Sequence, residues 1–286
     1  MGQISLELSN RLSAAVERMP AFPKSVQRIL ELTRNIDCEP RDLVAVIQTD
    51  PVIAIKVLKV VNSSYYSLPS KITSINQSVV YLGLNTIKNL ALNFSVMGML
   101  PHQNAARFDI QQYLKHSLLT ANLMRLLAGK FSDDETNDAY MAGLLHDFGK
   151  VVFAQFMPQE FLAAMSLSSE QQIEDYLAEE RVIGADHAFV GAMLTERWQF
   201  PAELVECIRE HHHNYASSAL GECLYVADIL ATQMGIDGGE NLEQALTSQP
   251  LPERFSQEID NLLAALDDHG KLMNEADMFC SGAAFK

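Results

Sequence analysis

Seven side chains spread from residue 116 to residue 228 are of the types that hold divalent transition metals: His116, His146, Asp147, His187, His211, His212 and Asp228. Imidazole nitrogens mixed with carboxylate oxygens suit iron, manganese, zinc or nickel better than calcium, which prefers oxygen alone. Two ions need about this many protein ligands, so the set predicts a site for one or two divalent ions. Lys150 stands three residues after Asp147. A cation beside such a site could offset charge building on phosphoryl oxygens or protonate a leaving group, so Asp147 and Lys150 are the candidate catalytic pair.

Each residue alone has an ordinary reading. His116 falls on a helix whose apolar face includes Leu119, Leu123 and Leu126, where a hydrogen-bonded core histidine is common. His146 can complement a helix C-terminus, but Asp147 at the same negative end is disfavoured there and asks for a cation. His187 follows Asp186, a plain N-cap, and the run His211-His212-His213 closes another helix. Lys150 can lie along the surface with its ammonium in water. Asp228 is the residue that most needs a partner, because it interrupts the apolar run Leu224–Leu230 and a bare buried carboxylate is costly. Cys207, four residues before His211, could be a thiol nucleophile. Both lie on one helix, and a core cysteine explains it equally well. The chain has no Gly-rich phosphate loop and no serine elbow.

The elements that must carry these residues read as helices throughout, with apolar residues at three- and four-residue steps and no strict alternation. Val26, Ile29, Leu30 and Thr33 mark a helix after Pro23, and Pro40 opens another. Asp50-Pro51 caps a helix that runs through Val60. Ser74 and Gln77 fit a capping box, Asn85 is the expected cap of the next helix, and that helix ends before Pro101. Residues 101–109 form the expected junction. Further helices are expected near 110–129 (stopped by Gly129), 135–146, 170–183, 187–199, 202–212 and 218–233. Gly238-Gly239 makes a break, and a last helix follows near 253–268. The fold class is therefore all-α, an N-terminal helical bundle over residues 1–105 packed on a metal-site core over 106–235, with a C-terminal helix and tail over 236–286.

Composition narrows the function classes. Of the 286 residues, 48 % are hydrophobic, enough for a substantial core, and the longest apolar runs are too short to span a bilayer. The first residues lack a signal-peptide pattern, and the four cysteines (Cys38, Cys207, Cys223, Cys280) are widely spaced, as expected of thiols in a reducing cytoplasm. Residues 1–130 carry 14 Lys+Arg against 8 Asp+Glu, whereas residues 131–286 carry 7 against 28. An acidic second half makes a nucleic-acid partner unfavourable and attracts cations.

His116, His146, Asp147 and Asp228 resemble the H…HD…D quartet of the HD superfamily of metal-dependent phosphohydrolases, and Ala142–Lys150 (AGLLHDFGK) is a specific match. His187, His211 and His212 resemble the additional ligands of the HD-GYP subgroup, cyclic-dinucleotide phosphodiesterases with two or three metals. The fuller likeness is to the HDOD family, the HD-related output domain of bacterial signalling proteins. It runs from Met19–Pro23 through Asp50-Pro51, Val61–Tyr66 and Val80–Leu84 to His187–Ala192, Trp198, Pro201 and His211-His212. HDOD members commonly lack part of the ligand set, and this chain keeps all of it. The Gly-Tyr-Pro loop of HD-GYP members is replaced by Asn214–Ser218, and Gln112 stands where three-metal members carry a carboxylate. The HDOD likeness implies a cytoplasmic regulatory module that acts through signalling protein partners, its metal structural or regulatory. The HD likeness implies the alternative, a phosphohydrolase of a phosphate-containing small molecule, with Asp147 bridging two metals. No membrane partner is implied.

Overall fold

A computed structural model of the chain describes residues 5–34, 39–101, 105–131, 136–266 and 269–280. Cys38, and residues 102–104 of the expected junction, lie outside them. Leu6–Arg18 (α1) comes first, followed by Lys24–Arg34 (α2), Pro40–Gln48 (α3), Pro51–Val61 (α4), Ile75–Leu82 (α5) and Leu84–Met97 (α6). The long helix Ile110–Phe131 (α7) precedes Thr136–Leu145 (α8), Phe148–Phe156 (α9), Pro158–Gln171 (α10) and Asp175–Val182 (α11). Then come His187–Arg197 (α12), Ala202–Glu210 (α13), a 3-10 turn at Tyr215–Ser217 and Ala219–Asp237 (α14). Leu242–Thr247 (α15), Glu253–Ser256 (α16), Ile259–Ala265 (α17) and His269–Cys280 (α18) complete the chain. Among the described residues there is no strand, and no helix is long and apolar enough to cross a membrane.

The chain forms two compact units, and neither is a single stretch. One comprises residues 1–20 and 101–273, the other 21–100 and 274–286. The sequence-based division at 105 and 235 differs at both ends: α1 falls in the larger unit, and the C-terminal segment is divided, 236–273 joining the larger unit and 274–286 the smaller. Helix α1 packs on α9 and α12. Arg197 explains why: its guanidinium donates to the carbonyls of Val16, Glu17 and Met19 at 2.9–3.0 Å, meeting acceptors that a helix end leaves open. Next to it, Trp198 Nε1 donates to Pro20 O at 3.0 Å.

Local sequence sets most helix starts. Asp50 accepts from the amides of Val52 and Ile53 at 3.1 Å, with Pro51 at the first helical position. Ser74 accepts from Gln77 N as expected, but Gln77 Oε1 accepts from the amide of Thr73 rather than that of Ser74. Asn85 is not the cap of α6; Gly83, at φ +82°, precedes Leu84 and turns the chain in a region open to glycine. Nor does Gly129 stop α7, which continues to Phe131; one interior glycine costs only about 1 kcal/mol, less than packing returns.

Four helical stretches escape the sequence reading: α1, the pair α9–α10, α15 and α18. In α9 the cause is burial along most of its length. Phe148, Gly149, Val151, Val152, Phe153 and Ala154 are all buried, so no polar face marks a period. This helix forms the floor of the larger unit, with Phe148 edge-on to Trp198 at 5.5 Å and Phe153 beside Phe161.

Candidate metal centre

All seven predicted side chains meet within the larger unit. His116 projects from α7, His146 and Asp147 from the link between α8 and α9, and His187 from the first position of α12. His211 and His212 follow α13, and Asp228 lies midway along α14. Asp147 ends one helix and also stands at the N-cap position of the next, where the positive helix end favours a carboxylate. This modifies the expectation that its position was wholly unfavourable. Convergence depends on Gly149: a Cβ there would lie 2.0 Å from the His187 carbonyl oxygen, so only glycine lets α9 and α12 approach this closely.

The protein fixes three of the imidazoles by their outer nitrogens. His146 Nδ1 lies 2.8 Å from Gly143 O, and His211 Nδ1 lies 2.6 Å from Ile208 O. A carbonyl only accepts, so each Nδ1 carries a proton and each Nε2 is left to point inward at the other donors. His187 is held the same way, its Nδ1 2.6 Å from Glu179 Oε2, which also accepts from the His187 amide at 2.7 Å. His212 is clamped instead by stacking on Tyr176, 4.5 Å between ring centres at 11°.

The inward atoms fall into two sets. His116, His146 and Asp228 form one; His187, His211, His212 and Asp147 form the other, each set with ligand atoms within 4.8 Å of one another. In the first, His116 Nε2 is 3.0 Å from Asp228 Oδ1 and 3.3 Å from His146 Nε2. In the second, His187 Nε2 is 2.9 Å from Asp147 Oδ1 and 2.8 Å from His212 Nε2. Asp147 reaches both, since its Oδ2 lies 3.8 Å from His116 Nε2.

These contacts leave a demand for positive charge between the donors. Two pairs of Nε2 atoms face each other, which two lone pairs tolerate only with a proton or a metal between them. His211 Nε2 is buried with no hydrogen-bond partner, although a buried acceptor normally has one. Protons meet part of this demand. Burial works to lower the His187 pKa, but Glu179 and Asp147 outweigh it and push it up to about 10. His146 is also raised, against burial, by Asp147 and Asp228. Burial drives His211 down to about 3, reinforced by His146 and His187, and His212 falls well below its usual value for similar reasons. Burial would raise both aspartates. Lys150, His146 and His187 instead hold Asp147 well below the carboxylate range, and hydrogen bonds from His116 and His146 do the same for Asp228.

Lys150 belongs to the site as a fixed charge. Its Nζ donates to Asp147 Oδ2 at 2.9 Å and lies 3.6 Å from Asp175. Burial opposes its charge, but Asp147, Asp175 and Glu179 raise its pKa well above the ordinary lysine value. A proton held that firmly makes Lys150 a fixed positive charge rather than a proton donor. Cys207 is buried in α13.

The sequence reading missed Glu179, Asp175 and Tyr176, which touch the site only through the fold. Glu179 is fully buried, eight residues before the histidine it orients. Glu179→Gln keeps an oxygen in reach of His187 but removes the charge. We expect a 10–100-fold loss of metal affinity, of the order known for outer-shell partners of histidine ligands, with an unchanged helical spectrum. Competition against a chromophoric chelator measures it; unchanged affinity would reduce Glu179 to a cap of α12. A further group, Glu180, Asp186 and His213, lies alongside, with His213 Nε2 2.8 Å from Asp186 Oδ2.

Comparison with known proteins follows the same lines. The HDOD domain model matches residues 19–214. An uncharacterized protein of Treponema pallidum (strain Nichols) is 26 % identical over 216 residues, 74 % of this chain but 41 % of that protein, so the chain spans less than half the length of this curated relative. An HDOD domain protein of unknown function from Geobacter sulfurreducens superimposes with a TM-score of 0.72 at 24 % identity, covering 94 % of this chain and 98 % of that one. A Shewanella amazonensis SB2B protein, named provisionally as a phosphohydrolase, gives 0.69 at 24 % identity over 93 % and 97 %. These structural likenesses establish the all-helical fold. With the domain model covering more than half of its residues, the chain belongs to the HDOD domain family.

Proposed function

We propose that this chain is a bacterial signal-transduction output module built around a two-ion divalent-metal centre, and that it acts through a protein partner. The observation that carries the proposal is the position of Asp147, one carboxylate oxygen toward His187 and the other toward His116. His116, His146 and Asp228 would hold one ion, and His187, His211 and His212 the other, with Asp147 between them. Iron, manganese, zinc or nickel suits this donor set. Elemental analysis of protein purified without chelator is expected to give close to two such ions per chain. A chain that takes up none from a metal-supplemented buffer overturns the reading.

Proton linkage gives a second test. His187 holds its proton well above the usual range, so at neutral pH an arriving ion must displace it, and the raised His146 shifts the competition the same way. Raising the pH removes that competition and lowering it restores it. Apparent metal affinity is therefore expected to rise with pH, by about 10- to 100-fold per unit between pH 6 and 8 for one or two displaced protons. A flat profile would mean that His187 is not a ligand.

Hydrolysis of a phosphate ester is the second reading, favoured by the paired sets of ligands and by the fixed charge of Lys150. Bound ions would supply Lewis acidity toward water and phosphoryl oxygen. The chain's own part is to orient three imidazoles through their Nδ1 atoms and keep an ammonium beside the carboxylate they share. Metal-loaded protein is expected to be inert toward bis(4-nitrophenyl) phosphate and cyclic dinucleotides if it is an output module alone. Turnover that disappears in Asp147→Ala would put the enzyme first.

A further inference from the structure

The smaller unit carries a groove of about 960 Å³ between α4 and residues 63–73. Ile55, Leu58, Leu68 and Ile72 give it an apolar floor, and Lys59 and Lys71 are the charged residues of its lining. Neither lysine has an ion-pair or hydrogen-bond partner among the described residues. The nearby carboxylate of Glu275 acts on Tyr66, outside the lining. Ile55 is 66 % exposed, and Val52, one turn earlier on the same helix, is 63 % exposed, so the apolar strip continues past the groove. With Leu58 and Leu68 they make a contiguous apolar strip, not scattered single residues, and it is contiguous strips that mark binding faces.

The groove is preformed. Asn62 donates to Leu58 O at 2.7 Å and Ile72 O at 2.8 Å and accepts from Ile72 N at 2.8 Å, tying the two ends of the loop together. The stretch of chain that forms it has one sign of charge: residues 51–100 contain four lysines and no aspartate or glutamate, in a chain of net charge −15.

We infer that this groove docks an acidic amphipathic segment of the partner protein, apolar side chains on Ile55, Leu58 and Leu68, carboxylates on Lys59 and Lys71. A small phosphate ligand fits less well, because both lysines stand at exposed positions and the strip from Val52 to Lys59 runs about 10 Å along the helix. That is nearly two turns of a bound helix, the usual scale of helix-in-groove recognition. The inference rests on the output reading for the existence of a partner. It does not depend on the metal.

The test uses the full chain and a labelled peptide of about four helical turns, leucines at i, i+3, i+4 and i+7 and glutamates between, beside a twin with lysine for glutamate. Fluorescence anisotropy is expected to show saturable binding of the acidic peptide that weakens as salt rises. The double variant K59E/K71E should lose about 10-fold in affinity and gain affinity for the lysine peptide. Ile55→Ser should weaken the acidic peptide without changing the salt dependence. Equal binding by K59E/K71E, or no saturable binding, overturns the proposal. So does a result in which the two lysines matter for tripolyphosphate, for phosphatidylglycerol vesicles or for self-association and not for the peptide. Metal content is measured on the same samples, so failure of the centre and failure of the groove are told apart.

Discussion

Asp147→Ala is expected to empty both halves of the centre. The carboxylate lies 2.9 Å from His187 Nε2, 3.5 Å from His146 Nε2 and 3.8 Å from His116 Nε2, so its loss takes a donor from each set. We expect metal affinity to drop by about 1000-fold or more, roughly 4 kcal/mol. The metal-free variant should suffer as well. Asp147 is buried, and removing it leaves Lys150 and a protonated His187 facing each other without their shared anion, at a cost of about 3–5 kcal/mol. Elemental analysis after desalting reads the first effect, and urea unfolding of chelated protein reads the second. A variant that keeps two ions would remove Asp147 from the centre.

The second large effect belongs to a residue with no side chain. Gly149→Ala places a methyl carbon 2.0 Å from His187 O and 2.7 Å from His187 C, both backbone atoms that no rotamer change can move. The start of α12 must shift away from α9, carrying His187 with it. The expected result is a fall from two bound ions to one, with the set of His116, His146 and Asp228 retained. A stability loss of at least 1–3 kcal/mol should accompany it, the range of overpacked cores. Gly191→Ala is the matched control, because its Cβ would first meet Ile208 Cγ2 at 3.4 Å, a flexible side-chain end. It should keep both ions. If the two alanine variants behaved alike, the close approach at Gly149 would not be what sets the geometry.

Much of the centre was legible in the order of residues because ligand chemistry is written in residue type. His146 next to Asp147, and Asp228 within an apolar run, are hard to explain without a cation, and all seven predicted donors converge in the larger unit. What supports them was not legible. Glu179, Asp175 and Tyr176 are ordinary surface-type residues on a short helix, and only packing turns Glu179 inward against His187. The fold shows the same split. Capped, two-sided helices such as α4 and α12 announce their starts through Asp50 and Asp186. Mostly buried α9 offers no clear period to read, and α1 is assigned to its unit by Arg197, far along the chain.

The chain passes between its two units three times, near residues 20, 100 and 273. No single scissor cut therefore releases either unit whole. A fragment beginning at residue 101 would lack α1 and leave the guanidinium of Arg197 without the three carbonyls it now clasps, and one ending at residue 100 would lack Phe279, the ring beside Phe94. Grafting either unit elsewhere would therefore mean carrying two separate stretches of chain rather than one.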